Sequence, residues 1–169
     1  MILNLGDWVL DVDIRATMEY AAQEVEQHCT CAYCQNFYAA VDREYPEIRG
    51  LLGSFGAAVE APEELMPYDM DGRMVYDATW ALCGSVVRMG SRVVEAAGCR
   101  LAIDPDNRLQ INSDCPEPRI FLNIPGLDLP WILDEPMEEV VSPANVPSFL
   151  RKMWARLLGS SRDNTAAQN

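Results

Sequence analysis

Apolar residues recur at helical spacing from Ile14 onward. Ile14, Met18, Ala21, Ala22 and Val25 form one stripe, while Glu19, Gln23, Glu24 and Glu26 occupy the other faces. Asp11 or Asp13 can accept a backbone N–H at the start of this helix, which is expected to run to about His28. A short run, His28-Cys29-Thr30-Cys31-Ala32-Tyr33-Cys34, then reads as a tight turn. Gln35 to Glu44 predicts a second helix, with Phe37, Tyr38, Ala40 and Val41 as its apolar residues. Pro46 ends it and suits the first turn of a third helix, where its missing N–H would be unpaired anyway. Ile48, Leu51, Leu52 and Phe55 give that helix its face, and Gly56 fits its C-terminal cap. Pro62-Glu63-Glu64-Leu65 reads as one further helical turn.

Beyond Asp71-Gly72 the pattern changes. Arg73 to Met89 is rich in Val, Tyr, Thr and Trp and predicts a long strand. Ser91 to Ala97 fits either more sheet or a connection. Arg100–Ile103 and Leu109–Ser113 read as short strands joined through the turn formers Asp104-Pro105-Asp106-Asn107, hence as a hairpin. Arg119–Ile124 predicts a further strand. Pro125, Pro130, Pro136 and Pro143 punctuate the chain that follows. Phe149 to Leu158 predicts an amphipathic last helix capped by Ser148, and 159–169 a mobile tail. Helices first, strands second and one helix last imply an α+β fold: N-terminal helices packed on a mainly antiparallel sheet, with a C-terminal helix. The expectation is one domain over 1–158, with a helical part at about 11–66, a sheet part at about 73–135 and a final helix at about 148–158; each half alone would have a thin core.

Charge narrows the function classes. The 169 residues carry 26 acidic against 13 basic side chains, for a net charge of −13. A chain this acidic repels phosphate, which argues against nucleic acid and anionic membranes and favours a basic protein partner. No run approaches the roughly 18 apolar residues of a membrane span. The N-terminus has no basic segment, and Asp7, Asp11 and Asp13 interrupt its apolar residues, so a cytoplasmic location is expected. In that reducing setting six cysteines are expected as free thiols or metal ligands. A single histidine excludes every site that needs two.

The chemistry concentrates at residues 28–34. Zinc takes four soft or borderline ligands in a tetrahedron. Cys29, Cys31 and Cys34 supply three thiols, and the fourth ligand is His28 or a distant cysteine, Cys83, Cys99 or Cys115. A distant ligand such as Cys83 is favoured, because adjacent His28 and Cys29 diverge in a helix and a distant one would tie helices to sheet. A structural zinc or thiol knuckle is one expectation; buried, unliganded thiols are the bland alternative. A redox or catalytic thiol at Cys31 or Cys34 is a third, since a helix N-terminus lowers a thiol pKa. Asp69-Met70-Asp71-Gly72 lacks the later ligands of a calcium loop and reads as a turn. Gly53-Ser54-Phe55-Gly56 is no nucleophile elbow, and no Walker or Rossmann glycine pattern occurs. Trp80, Trp131 and Trp154 are expected to fill a core; a small-molecule pocket lined by Trp80, Trp131 and Tyr76 is a weaker alternative. The absence of a catalytic signature favours a non-enzymatic binding domain.

The run CTCAYCQNFY, followed by YPEIRGLLGSFG, APEELMPY and, much later, LDLPWILDEP, resembles a family of small uncharacterised bacterial proteins. Its features are a CxCxxCxNF segment between two helices, a Tyr-Pro step, an aromatic strand and a late PWxLxE stretch. The matching positions are Cys29, Cys31, Cys34, Asn36, Phe37, Tyr45, Pro46, Pro130, Trp131, Leu133 and Glu135, over roughly 15–136. The resemblance implies a bacterial source, a thiol cluster that works as a unit, and no assigned activity. Relatives often carry a histidine where this chain has Ala81, so any ligand role of that residue would pass to another, such as Cys83, or be lost.

Overall fold

A computed structural model describes residues 1–70 and 73–134. Seven strands form one antiparallel sheet around three helices. A hairpin of β1 (Ile2–Leu5) and β2 (Trp8–Val12) comes first. Then follow α1 (Ile14–Glu26), α2 (Ala32–Glu44) and α3 (Ile48–Ser54). The remaining strands are β3 (Glu64–Met70), β4 (Arg73–Arg88), β5 (Val94–Ala96), β6 (Cys99–Asp104) and β7 (Arg119–Leu129). The sheet runs β1-β2-β4-β7-β6-β5, with β3 also on β4. The long strand β4 organises it: β7 lies along one edge, and β2 and β3 sit end to end on the other.

The α+β class and the mainly antiparallel sheet are as expected, and so are the three helices and the long strand. Asp13 rather than Asp11 caps α1, its carboxylate accepting the Ala16 N–H at 3.0 Å. Gly56, at φ +83°, follows the end of α3 in the left-handed conformation, and the next residue's N–H returns to the Leu52 carbonyl at 3.0 Å.

Four stretches differ from the sequence reading, each because side chains or strand pairing override local propensity. Strands precede the helices: Leu5 stands opposite Trp8 across a two-residue turn whose Gly6 has φ +58°. The stretch 62–65 is no helical turn; from Glu64 the chain pairs residue for residue with β4, from Glu64 opposite Thr79 to Met70 opposite Arg73. The helical part therefore ends before residue 64. The expected hairpin at 104–107 is absent too, and 109–113 is not a strand. Asp104 instead accepts the N–H groups of Asp106 and Leu109, and Asn107 bonds both the N–H and the carbonyl of Ile111. These side-chain bonds occupy the backbone groups a ladder would have used. β6 pairs with β5 and β7 instead. β7 runs past Ile124 to Leu129, because Pro125 falls where the register slips and Gly126, at φ +76°, donates to the Asp77 carboxylate at 2.9 Å. The expected helix at 148–158 and tail at 159–169 lie outside the described residues.

Alternation along β4 sorts its side chains onto two faces. Met74, Tyr76, Ala78, Trp80 and Leu82 join the main core with Phe37, Ala40 and Val41 of α2 and Ile48 and Leu52 of α3. Ala81 and Cys83 turn to the other face, beside Tyr20 of α1, Ile111, Cys115 and Phe121. Both faces are therefore covered, which is why β4 reads as a nearly unbroken apolar run. No helix of the described residues is long and apolar enough to cross a membrane.

Where β2 meets β4 there is no room for a side chain. A Cβ at Gly84 would stand 2.4 Å from the Asp11 carbonyl oxygen and 3.0 Å from the Cα of Val12. Gly84→Ala is expected to cost about 1–3 kcal/mol as the β2 backbone is pushed away. Urea titration checks this, and an unchanged midpoint would show that the strands give way freely.

Candidate metal centre

The thiol turn is built by the end of one helix and the start of the next. α1 stops at Gln27, and α2 begins with Cys31 as its N-cap in extended conformation. α2 thus starts at Ala32, three residues before the predicted Gln35, so Cys34 lies in its first turn. N-cap and N3 are the positions whose side chains meet in a capping box; here both are thiols, Cys31 and Cys34. Gln35 steadies the turn by donating from its side chain to the Thr30 carbonyl at 2.8 Å.

The sulfurs of Cys29, Cys31 and Cys34 all lie within 4.8 Å of one another. A tetrahedral zinc with sulfur at about 2.3 Å sets its ligands roughly 3.8 Å apart, so the thiols are close to the spacing an ion would impose. Cys29 and Cys31 are exposed and Cys34 is 9% exposed. The group thus opens to solvent on one side and rests on the core on the other. The backbone N–H of Cys31, and then the Cys31 and Cys34 thiols, hold the Cys29 thiol below its ordinary pKa. Burial, and then the two neighbouring thiols, push Cys34 the other way. The redox expectation named Cys31 or Cys34, whereas the group biased toward thiolate is Cys29. A cation among the three sulfurs would stabilise all of them as thiolates.

Two other residues expected in the centre stand elsewhere. His28 directs Nδ1 to the carbonyl of Val25, and its ring meets Tyr38 edge-on at 5.4 Å. Cys83 lies on the face of β4 turned away from α2, where its sulfur is 3.4 Å from that of Cys115. Parity explains this: α2 packs on the even-numbered side chains of β4, so an odd-numbered cysteine cannot reach the turn. Cys99, at the start of β6, is buried, which pushes its thiol to about 11. A distant cysteine therefore does not tie helices to sheet.

That tie is made by residues the sequence reading did not single out for it. Asn36, fully buried on α2, accepts from the Ile132 N–H at 2.8 Å and donates to the Pro130 carbonyl at 3.1 Å and the Tyr76 hydroxyl at 3.2 Å. Tyr76 passes its own proton to the carbonyl of Tyr33, which directly precedes Cys34, at 3.1 Å. Tyr33 and Trp131 meet ring edge to face at 5.7 Å. A polar residue in the buried stripe of a helix, directly before Phe37, was the available signal. Tyr76 and Trp80 are core side chains, Trp80 donating to the Ala58 carbonyl at 2.9 Å.

Comparison of the chain with protein-family models, with curated proteins and with solved structures finds no match in any of the three. The site therefore has to be read from its own geometry.

Removing the Asn36 side chain takes the partner from the part-buried Ile132 N–H and Pro130 carbonyl and the amide donor from the Tyr76 hydroxyl, which keeps its bond to the Tyr33 carbonyl. Asn36→Ala is expected to cost about 2–4 kcal/mol, and Tyr76→Phe about 1–2 kcal/mol. Because the two share a bond, their double variant should lose less than the sum. Denaturant midpoints of the three variants check this; single losses below about 0.5 kcal/mol would dismiss the network as the joint.

Proposed function

We propose that this chain is a non-enzymatic binding domain whose thiol turn holds one zinc ion through Cys29, Cys31 and Cys34. The observation that carries the reading is the convergence of three sulfurs within 4.8 Å at the N-terminus of α2. Soft thiolate donors favour zinc over the hard, oxygen-seeking cations. Unpaired N–H groups at the helix start favour the negative charge the ligands must carry. The fourth position faces solvent beside the exposed Cys29 and Cys31, and water or a donor from a bound partner completes the tetrahedron there.

Zinc at this point braces the α1–α2 connection, which has no disulfide and no side-chain N-cap bond. It also fixes the first turn of α2 above the Asn36 joint. The partner suited to such a domain is a basic protein, attracted by the net charge of −13. Phosphate backbones are repelled by the same charge.

Zinc titration of the reduced, metal-free chain against a coloured chelator tests the reading. One ion per chain is expected, and at zinc near one hundred times Kd the thermal midpoint should rise by the equivalent of about 2.7 kcal/mol. Cobalt in place of zinc should give the intense near-ultraviolet band of thiolate coordination. Cys31→Ser should weaken zinc binding by a factor on the order of 100. A chain that takes up no zinc and melts identically with and without the ion refutes the site. Fast alkylation of one thiol in that metal-free chain would then favour redox use.

A further inference from the structure

A second sulfur pair sits on the opposite face of the sheet from the thiol turn. Cys83 projects from the middle of β4, and Cys115 from the connection between β6 and β7. Their sulfurs are 3.4 Å apart, in direct contact, and both side chains are buried, at 4% and 1% exposure. Two sulfurs at this separation need to approach by about 1.4 Å to bond.

The surroundings make that approach feasible. Cys83 is fixed: its N–H donates to the Thr17 hydroxyl of α1 at 3.1 Å, and its carbonyl accepts the Asp13 N–H at 2.8 Å. Cys115 rides on 105–118, a stretch without strand or helix. Its end is tied to β4 by the Gly84 N–H on the Pro118 carbonyl at 2.7 Å, and ahead of that side chains hold it: Asn107 on Ile111, Ser113 on the Cys115 N–H at 3.1 Å, and Arg119 on the Cys115 carbonyl at 2.7 Å. Such a segment moves and opens more readily than a strand. Beside the pair, the Glu63 carboxylate lies against the hydroxyls of Tyr20 and Ser113, and its buried Oε1 makes no hydrogen bond.

We propose that Cys83 and Cys115 form an oxidation site, a dithiol that peroxide converts to a disulfide pinning the 105–118 connection to the centre of the sheet. One sulfur, as thiolate, attacks hydrogen peroxide. The O–O bond breaks, the sulfur becomes a sulfenic acid, and the leaving oxygen takes a proton to become water. The second sulfur attacks the first, the S–O bond breaks, a second water leaves and the S–S bond remains. Two thiols give up two electrons and two protons, and one peroxide becomes two waters. Access comes through opening of the irregular connection, because both thiols are covered in the closed state. The site shares no residue with the proposed zinc ligands and stands or falls separately from them.

Trypsin isolates the two cysteines cleanly. Cleavage after Arg73, Arg88, Arg108 and Arg119 gives peptides 74–88 and 109–119 with one cysteine each, and Cys29, Cys31 and Cys34 fall together on a third, 16–43. The reduced full chain is exposed to excess hydrogen peroxide, unfolded, alkylated and digested. The same is done with the variant carrying Cys29→Ser, Cys31→Ser and Cys34→Ser, which lacks the competing thiols. In both proteins peptides 74–88 and 109–119 should appear joined, two hydrogens lighter than their sum, and separate on treatment with dithiothreitol. The two singly alkylated peptides should be lost in parallel. Recovery of both peptides alkylated to the same extent with and without peroxide would overturn the site. So would their recovery as separate sulfinic acids, or linkage of either to another cysteine.

Discussion

Everything that places the thiol turn depends on one buried amide. Asn36 reaches from α2 to the backbone at Pro130 and Ile132 and to the Tyr76 hydroxyl, so a single side chain joins a helix, the first part of β4 and the chain after β7. A buried amide with all these groups bonded is highly directional; left half-bonded, it would cost more than an apolar residue in its place. Because Tyr76 also holds the carbonyl of Tyr33, the first turn of α2 is fixed in rotation as well as position. That rotation decides where Cys34 points and, with Cys31 at the N-cap, whether the three sulfurs meet.

The segment around α2 and the chain after β7 become neighbours through this joint. Asn36 of the early segment bonds Pro130 and Ile132 of the late one, and Tyr33 of the first packs on Trp131 of the second. Tyr45, directly after α2, accepts the Asp128 N–H at 3.1 Å on its hydroxyl. Residues nearly a hundred positions apart thus support the same helix. Their physical role is to seat α2.

How much was legible in the chain follows from what kind of force fixed each part. Helical periodicity exposed α1, α2 and α3 as helices, but α1 buries Thr17, Tyr20 and Ala21 and leaves Met18 and Ala22 of its expected stripe exposed. The apolar run of β4 exposed the long strand, because burial on both faces leaves it no polar alternation. The hairpin of β1 and β2 escaped notice because Asp7 and Asp11 break its apolar pattern, and its pairing with the far end of β4 is non-local. The stretch from Glu64 to Met70 carries a proline and two acids and becomes a strand only through β4. At 104–113 the turn-forming residues were seen correctly, but their side chains close on their own backbone and no hairpin forms. Within the site, the three clustered cysteines are neighbours in sequence and could be read directly. Cys83 could not be placed, because its side of the sheet depends on which parity of β4 faces α2.

That same parity separates the sulfur chemistry into two compartments with opposite electrostatics. On the α2 side, three thiols share one helix terminus in a chain of net charge −13, and ionising one makes the next harder to ionise. Donation from the Cys31 backbone N–H and from the two neighbouring thiols relieves this for Cys29; burial and the neighbouring thiols drive Cys34 toward the neutral thiol. A cation is the one species that removes the repulsion for all three together, and the exposed side of the turn lets it in. On the other side, Cys83 and Cys115 are enclosed with an acidic side chain, and burial together with the charge of Glu63 disfavours the thiolate of Cys115. An anionic ligand set is disfavoured there, whereas a neutral S–S bond removes both ionisable groups and places no charge in the interior. The sheet thus divides six cysteines between a turn suited to charge compensation and a contact suited to covalent neutralisation, with Cys99 left as a buried thiol apart from both.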